Sequence, residues 1–214
     1  MKIAICFAVL LLTVMVAPAF GQFIYSNGPI NGTTDGWTIN FGFVVSDTFP
    51  ITAPGTTVTG LEFGAWLFPG DVLLNAQVSI TSSEFGGTTY FNGVVNFTQS
   101  ACSGNQYGYN VCTETGFFNG PSLASGTYWL DLQNAVVNDG DPIYWDENSG
   151  PSSASENSVG TIPSEAFTIL GSCSDGQSGP GCGPPPTVPE PGSIFLLASG
   201  MLGLAAILRS KMGL

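Results

Sequence analysis

Apolar and polar residues alternate with period two along the middle of the chain, and no helical stripe appears between the runs. This pattern restricts the fold to antiparallel sheet with one buried face. Leu61, Phe63, Ala65 and Leu67 share one face, with Glu62, Gly64 and Trp66 on the other. Val72, Leu74, Ala76, Val78 and Ile80 alternate with Asn75, Gln77, Ser79 and Thr81, which predicts the most regular strand. Ile39, Phe41, Phe43 and Val45 form another run against Thr38, Asn40, Gly42 and Ser46, interrupted by Val44. Phe91, Val95 and Phe97, then Tyr128, Leu130 and Leu132, continue the pattern. Turn chemistry punctuates the runs at Thr52-Ala53-Pro54-Gly55, Phe68-Pro69-Gly70-Asp71, Phe85-Gly86-Gly87, Asn119-Gly120-Pro121 and Asn138-Asp139-Gly140-Asp141. The expectation is an all-β, antiparallel β-sandwich of jelly-roll type, with a closed barrel as the alternative. No fixed-period repeat points to a propeller or solenoid.

Charge narrows the chemistry. Fifteen Asp or Glu stand against three Lys or Arg, with no His. The basic residues are Lys2, Arg209 and Lys211, so none lies between Ile3 and Leu208. Nucleic-acid and phosphate binding need basic side chains and are excluded for the body of the chain. Without His there is no Ser-His or Cys-His dyad, no imidazole acid or base and no Zn site of the usual kind. Binding or structural modules, Ca²⁺ sites built from oxygen ligands and carboxylate-pair glycoside hydrolysis remain.

Both ends read as addresses. Met1-Lys2, the apolar run Ile3 to Val16 and the small residues before Gly21 have the three-part order of a secretory signal peptide, expected at 1–21. The sandwich is expected at 22–172, followed by a Cys/Gly/Pro-rich linker at 173–187 and a sorting segment at 188–214. Within that last segment, 192–208 is an uncharged apolar run, about 25 Å as a helix, which just spans a bilayer. Arg209 and Lys211 behind it act as a stop-transfer pair, kept cytoplasmic by the positive-inside rule.

Val188-Pro189-Glu190-Pro191, the short hydrophobic run and the terminal basic residues resemble the PEP-CTERM sorting signal of exported bacterial proteins. The resemblance implies recognition by an exosortase, a membrane transpeptidase-like protease that cuts near the motif. It further implies a membrane-anchored intermediate released to the cell surface or the extracellular polymer matrix. Tyr128-Trp-Leu-Asp-Leu132 and Ile143-Tyr-Trp-Asp-Glu-Asn-Ser-Gly150 are similar to stretches in ectodomains of such proteins, which implies a β-sandwich and names no ligand.

Cys6 falls in the signal peptide, which leaves Cys102, Cys112, Cys173 and Cys182. An even count in an exported chain reads as two disulfides. Of three pairings, the local ones are favoured, Cys102 with Cys112 and Cys173 with Cys182, because each closes a short Gly-containing loop.

Two constellations could carry function. Asp139, Asp141, Asp146 and Glu147, with the amides of Asn138 and Asn148, supply hard oxygens in the number Ca²⁺ takes, although the order is not that of an EF-hand. Trp129, Asp131 and Gln133 fall on one strand face, opposite Leu130 and Leu132, and with Trp145 could form a platform that stacks on a sugar and binds its hydroxyls. For hydrolysis the acid and base would come from Glu62, Glu114, Asp131, Asp146 or Glu147, and the spacing selects no pair. The expectation is therefore a non-catalytic surface or matrix protein, structural or carbohydrate-binding. Its alternatives are a Ca²⁺-dependent glycan-binding module and a glycosidase.

Overall fold

The computed structural model describes residues 22–173; the signal peptide, most of the linker, Cys182 and the sorting segment lie outside them. Thirteen strands occupy this span. They are β1 (Gln22–Ser26), β2 (Gly36–Thr38), β3 (Val44–Ile51), β4 (Thr56–Leu67), β5 (Leu73–Ser83), β6 (Gly86–Gly104), β7 (Asn110–Phe117), β8 (Ser122–Leu123), β9 (Gly126–Val137), β10 (Tyr144–Asp146), β11 (Ala154–Glu156), β12 (Gly160–Ile162) and β13 (Phe167–Ser172). No helix occurs among the described residues, so none there is long and apolar enough to cross a membrane.

All pairings are antiparallel, and the strands follow one path, β1-β13-β4-β7-β6-β5-β9-β3-β11-β12, with β8 and β10 attached to β4 and β2 to β10. The ends of the path do not pair with one another, so the sheet is curled and open rather than a closed barrel. The curl turns on β6, which is 19 residues long. Its first part pairs with β5 as far as Asn96, and from Phe97 it pairs with β7 instead. Gly116 lies opposite Phe97, and a Cβ there would sit 2.7 Å from Val95 and 2.8 Å from the Phe97 ring. A bare backbone at Gly116 is what lets the corner close.

The hairpin-linked strands β5, β6 and β7 have β9 beside the first and β4 beside the third. This is two overlapping Greek keys, and it carries the chain between the two halves of the curl. The core lies between those halves. Leu61, Phe63, Ala65 and Leu67 are all fully buried, as their alternation predicts, and so are Leu130 and Leu132. Phe63 packs edge-on against Phe97 (5.3 Å) and Trp145 (6.0 Å), and Trp145 against Phe167 (5.5 Å). Each such buried side chain contributes roughly 1.5–3 kcal/mol by removing apolar area from water.

Two runs depart from their alternation. On β5 the buried residue is Leu73, while Val72 and Leu74 are 39% and 45% exposed. Register shifts between Leu73 and Gln77 insert a bulge, and that exchanges the faces before Ala76, Val78 and Ile80 resume inward. The run Thr38 to Ser46 is two strands with a turn between them. Phe41 and Gly42 both have positive φ (56° and 91°), and the Phe43 N–H donates to the Asn40 carbonyl at 3.1 Å. The turn turns Phe41 outward, 65% exposed, and leaves Phe43 at 38%.

Cys102 and Cys112 are disulfide-bonded, with 4.0 Å between their Cα atoms, across an irregularity in the β6/β7 ladder. Cys173 is also disulfide-bonded, and its expected pairing with Cys182 lies outside the described residues.

Candidate functional site

Burial of acids is the main chemical feature of this domain. Asp47, Asp71, Glu114, Asp131, Asp146, Glu147, Glu156 and Glu165 are all buried, in a region that contains no basic side chain. Nothing positive offsets their desolvation, so hydrogen-bond donors do that work, and they do it unevenly.

Asp146, at the end of β10, has three donors. Its Oδ1 accepts from Trp66 Nε1 (2.6 Å) and the Gly32 N–H (2.9 Å), and its Oδ2 from the Asn31 N–H (2.8 Å). Burial still raises its pKa against these donors. Its neighbour Glu147 accepts from Trp37 Nε1 at 3.0 Å. Asp131 accepts from the Ser46 and Thr81 hydroxyls; burial raises its carboxyl to about 6, opposed by those hydroxyls, with Glu84 adding to the rise.

A second network joins segments far apart in sequence. The Asn27 amide nitrogen lies 2.6 Å from Ser152 Oγ, 2.7 Å from the Glu165 carbonyl, 2.8 Å from Ser164 Oγ and 3.2 Å from Asp47 Oδ2. Asn148 donates to the Asn27 carbonyl at 2.7 Å and accepts from Ser164 Oγ and the Gly150 N–H, both at 2.8 Å. Gly150 has no room for a side chain, since a Cβ would lie 2.3 Å from the Asn27 carbonyl oxygen. Burial pushes Asp47 up to about 6 despite hydrogen bonds from Ser152, Glu165 and Thr48. Glu165 is fully buried with both carboxyl oxygens unpartnered. Its pKa is raised well above the ordinary value, first by burial and then by Asp47, Glu147, Asp146 and Asp35.

The four carboxylates read from sequence as one oxygen cluster fall into two groups. Asp146 and Glu147 are spent on Trp66, Trp37 and backbone donors. Asp139 and Asp141 stay together and are joined by Asp71, from the turn before β5, with carboxylate oxygens of all three within 4.8 Å of one another. Sequence spacing could not supply Asp71, because the two turns meet only through the fold. The Val72 N–H donates to Asn138 Oδ1 (2.9 Å) and the Asn138 N–H to the Val72 carbonyl (3.1 Å), which ties them.

The aromatic platform is also divided. Trp129 and Gln133 are half-buried on the face that alternation assigns them, and Asp131 on that face is only 4% exposed. Trp145 is not on that face; it is fully buried and donates its Nε1–H to the Ala166 carbonyl at 3.0 Å. Sequence reasoning passed over Trp37, which lines an open cleft of about 280 Å³ with Asp35, Phe43, Glu156, Ser158 and Val159. Glu156 there accepts from both the Ser158 N–H (3.0 Å) and its hydroxyl (2.6 Å). Glu62, Glu114, Asp131, Asp146 and Glu147 do not line this cleft. Tyr107 and Tyr109 were likewise missed; they fold over Trp66 with ring centroids 5.5 and 5.8 Å away, and the signal available was their own alternation beside the hairpin turn.

A model of the PEP-CTERM protein-sorting motif matches residues 187–210. The match takes in Val188 to Pro191, the apolar run and Arg209, with Lys211 one residue beyond. It marks an exported protein sorted through the membrane by its C terminus. No curated protein matches the chain.

Proposed function

We propose that this chain, which carries a PEP-CTERM sorting motif, is a non-catalytic cell-surface or extracellular-matrix protein whose acidic β-sandwich is delivered by exosortase processing. The observation that carries this reading is the tail itself, Val188-Pro189-Glu190-Pro191 ahead of an apolar run and Arg209. The apolar run parks the chain in the membrane and presents the proline-rich segment to the protease on the exported side. The two overlapping Greek keys support a sandwich of jelly-roll type. Intact-mass measurement of the protein from the surface or matrix fraction tests the processing step. A C terminus near the Pro-Glu-Pro segment is expected, and an intact Leu214 in that fraction refutes it.

Carbohydrate binding is the second reading, and the Trp37 cleft favours it over the Trp129 face. An array of bacterial and plant glycans with and without Ca²⁺ is the direct test. Binding lost on Trp37→Ala and kept on Trp129→Ala supports the cleft; the opposite result moves the site to the Trp129 face.

A further inference from the structure

We propose that Asp71, Asp139 and Asp141 form a Ca²⁺ site that clamps the turn before β5 to the turn after β9. Three observations converge on it. First, two oxygens bound to one Ca²⁺ lie at most about 5 Å apart, twice the usual 2.3–2.6 Å bond, and the three carboxylates already fall inside that limit. Second, Asp71 is only 7% exposed, its buried Oδ2 accepts from no donor, and its carboxyl meets that of Asp139. Ionised, a carboxylate in that position faces like charges, which a bound cation neutralises. Third, no basic side chain lies between Ile3 and Leu208, so any counter-charge for the cluster comes from solution.

The surroundings suit a calcium ion. Asp139 and Asp141 are exposed, which leaves an open side for the waters that complete its coordination. The turns are preset: Gly70 and Gly140 adopt φ of 105° and 87°, the Asp71 N–H closes onto the Phe68 carbonyl at 3.0 Å, and the Asp141 N–H is held by Asp139 Oδ1 at 3.2 Å. Asn40 anchors the Asp141 carbonyl through Nδ2 at 3.0 Å. This inference is independent of the glycan reading, because the site consists only of the two turns.

Three carboxylates with water place the affinity among extracellular modules, at roughly 10⁻⁴–10⁻³ M. The test is calorimetric titration of the purified full-length chain in detergent with CaCl₂ after chelator treatment, alongside thermal melts. The expected result is one Ca²⁺ per chain and a melting temperature that rises with Ca²⁺. Asp139→Asn, at an exposed position that does not threaten folding, is expected to weaken binding at least tenfold. Asp71→Asn is expected to abolish the Ca²⁺ response while raising the melting temperature of the cation-free protein. Absence of binding at millimolar Ca²⁺, or less than a threefold change in Asp139→Asn, overturns the proposal. Equal affinity for Mg²⁺ overturns the assignment to calcium.

Discussion

Glu114 offers the sharpest test of how this domain tolerates its buried acids. It lies on β7 opposite Phe63 and is fully buried. Gln99, its other ladder neighbour, turns its amide to the Asp71 carbonyl (3.3 Å), and neither Glu114 oxygen has a partner. Burial pushes its carboxyl from 4.5 up to about 7, with the nearby Gln99 side chain opposing. Below pH 4.5 the group is protonated in both folded and unfolded chains and contributes nothing to the pH dependence. As pH rises from there towards 7, the unfolded chain releases its proton while the folded chain retains it, so stability falls. A shift from 4.5 to about 7 corresponds to about 3 kcal/mol lost once the pH is above 7. Glu114→Gln keeps the shape and removes the ionisation. Its amide brings buried donors of its own, at a cost of about 1 kcal/mol. The variant is therefore expected to be roughly 1–3 kcal/mol more stable than the parent at pH 8, and equal or slightly less stable at pH 4.5. For a domain of this size that gain is about 2–10 °C in melting temperature. Urea unfolding followed by tryptophan fluorescence at pH 4.5, 6, 7 and 8, in chelator, measures it. Parallel stability profiles for the two proteins would show that Glu114 titrates normally and would refute the reasoning.

Other perturbations follow from the same networks. Trp66→Phe removes one of three donors to the buried Asp146 and is expected to cost about 1.5–3 kcal/mol at pH 7; because burial raises the Asp146 pKa, the loss should shrink as the pH is lowered, and denaturant melts across the acid range check this. Replacing Cys102 and Cys112 together by Ser opens a cross-link spanning a separation of 10 residues and is expected to cost about 2–3 kcal/mol, read as a lower urea midpoint. Gly150→Ala places a methyl group 2.6 Å from Ser164 Oγ as well as against the Asn27 carbonyl, and is expected to cost about 1–3 kcal/mol, with loss of amide exchange protection at Asn148 and Gly150.

Legibility in the sequence followed the range of each interaction. On β4 and on the Tyr128 to Leu132 stretch of β9, alternation named the buried face correctly, because adjacent side chains on a strand must point to opposite sides. It failed on β5, where a bulge whose position depends on both neighbouring strands exchanges the face between Leu73 and Ala76. It failed again at Phe41, where a residue with strong strand propensity occupies a turn closed by the Phe43 N–H on the Asn40 carbonyl. The Cys102–Cys112 pair was readable as a short loop with two cysteines, and the structure places that loop at the end of the β6/β7 hairpin.

Sequence alone determined the sorting tail and the absence of positive charge between Ile3 and Leu208, because a linear motif and a composition need no partner across the fold. The antiparallel class followed from local periodicity. Tertiary structure decided which acids meet. Asp139 and Asp141 lost Asp146 and Glu147 to tryptophan and backbone donors and gained Asp71 from a turn nearly seventy residues earlier. Asn27 was brought onto Asp47, Ser152 and Ser164 in the same way. Such encounters are set by strand register and by the curl at β6, and carboxylate spacing along the chain carries neither.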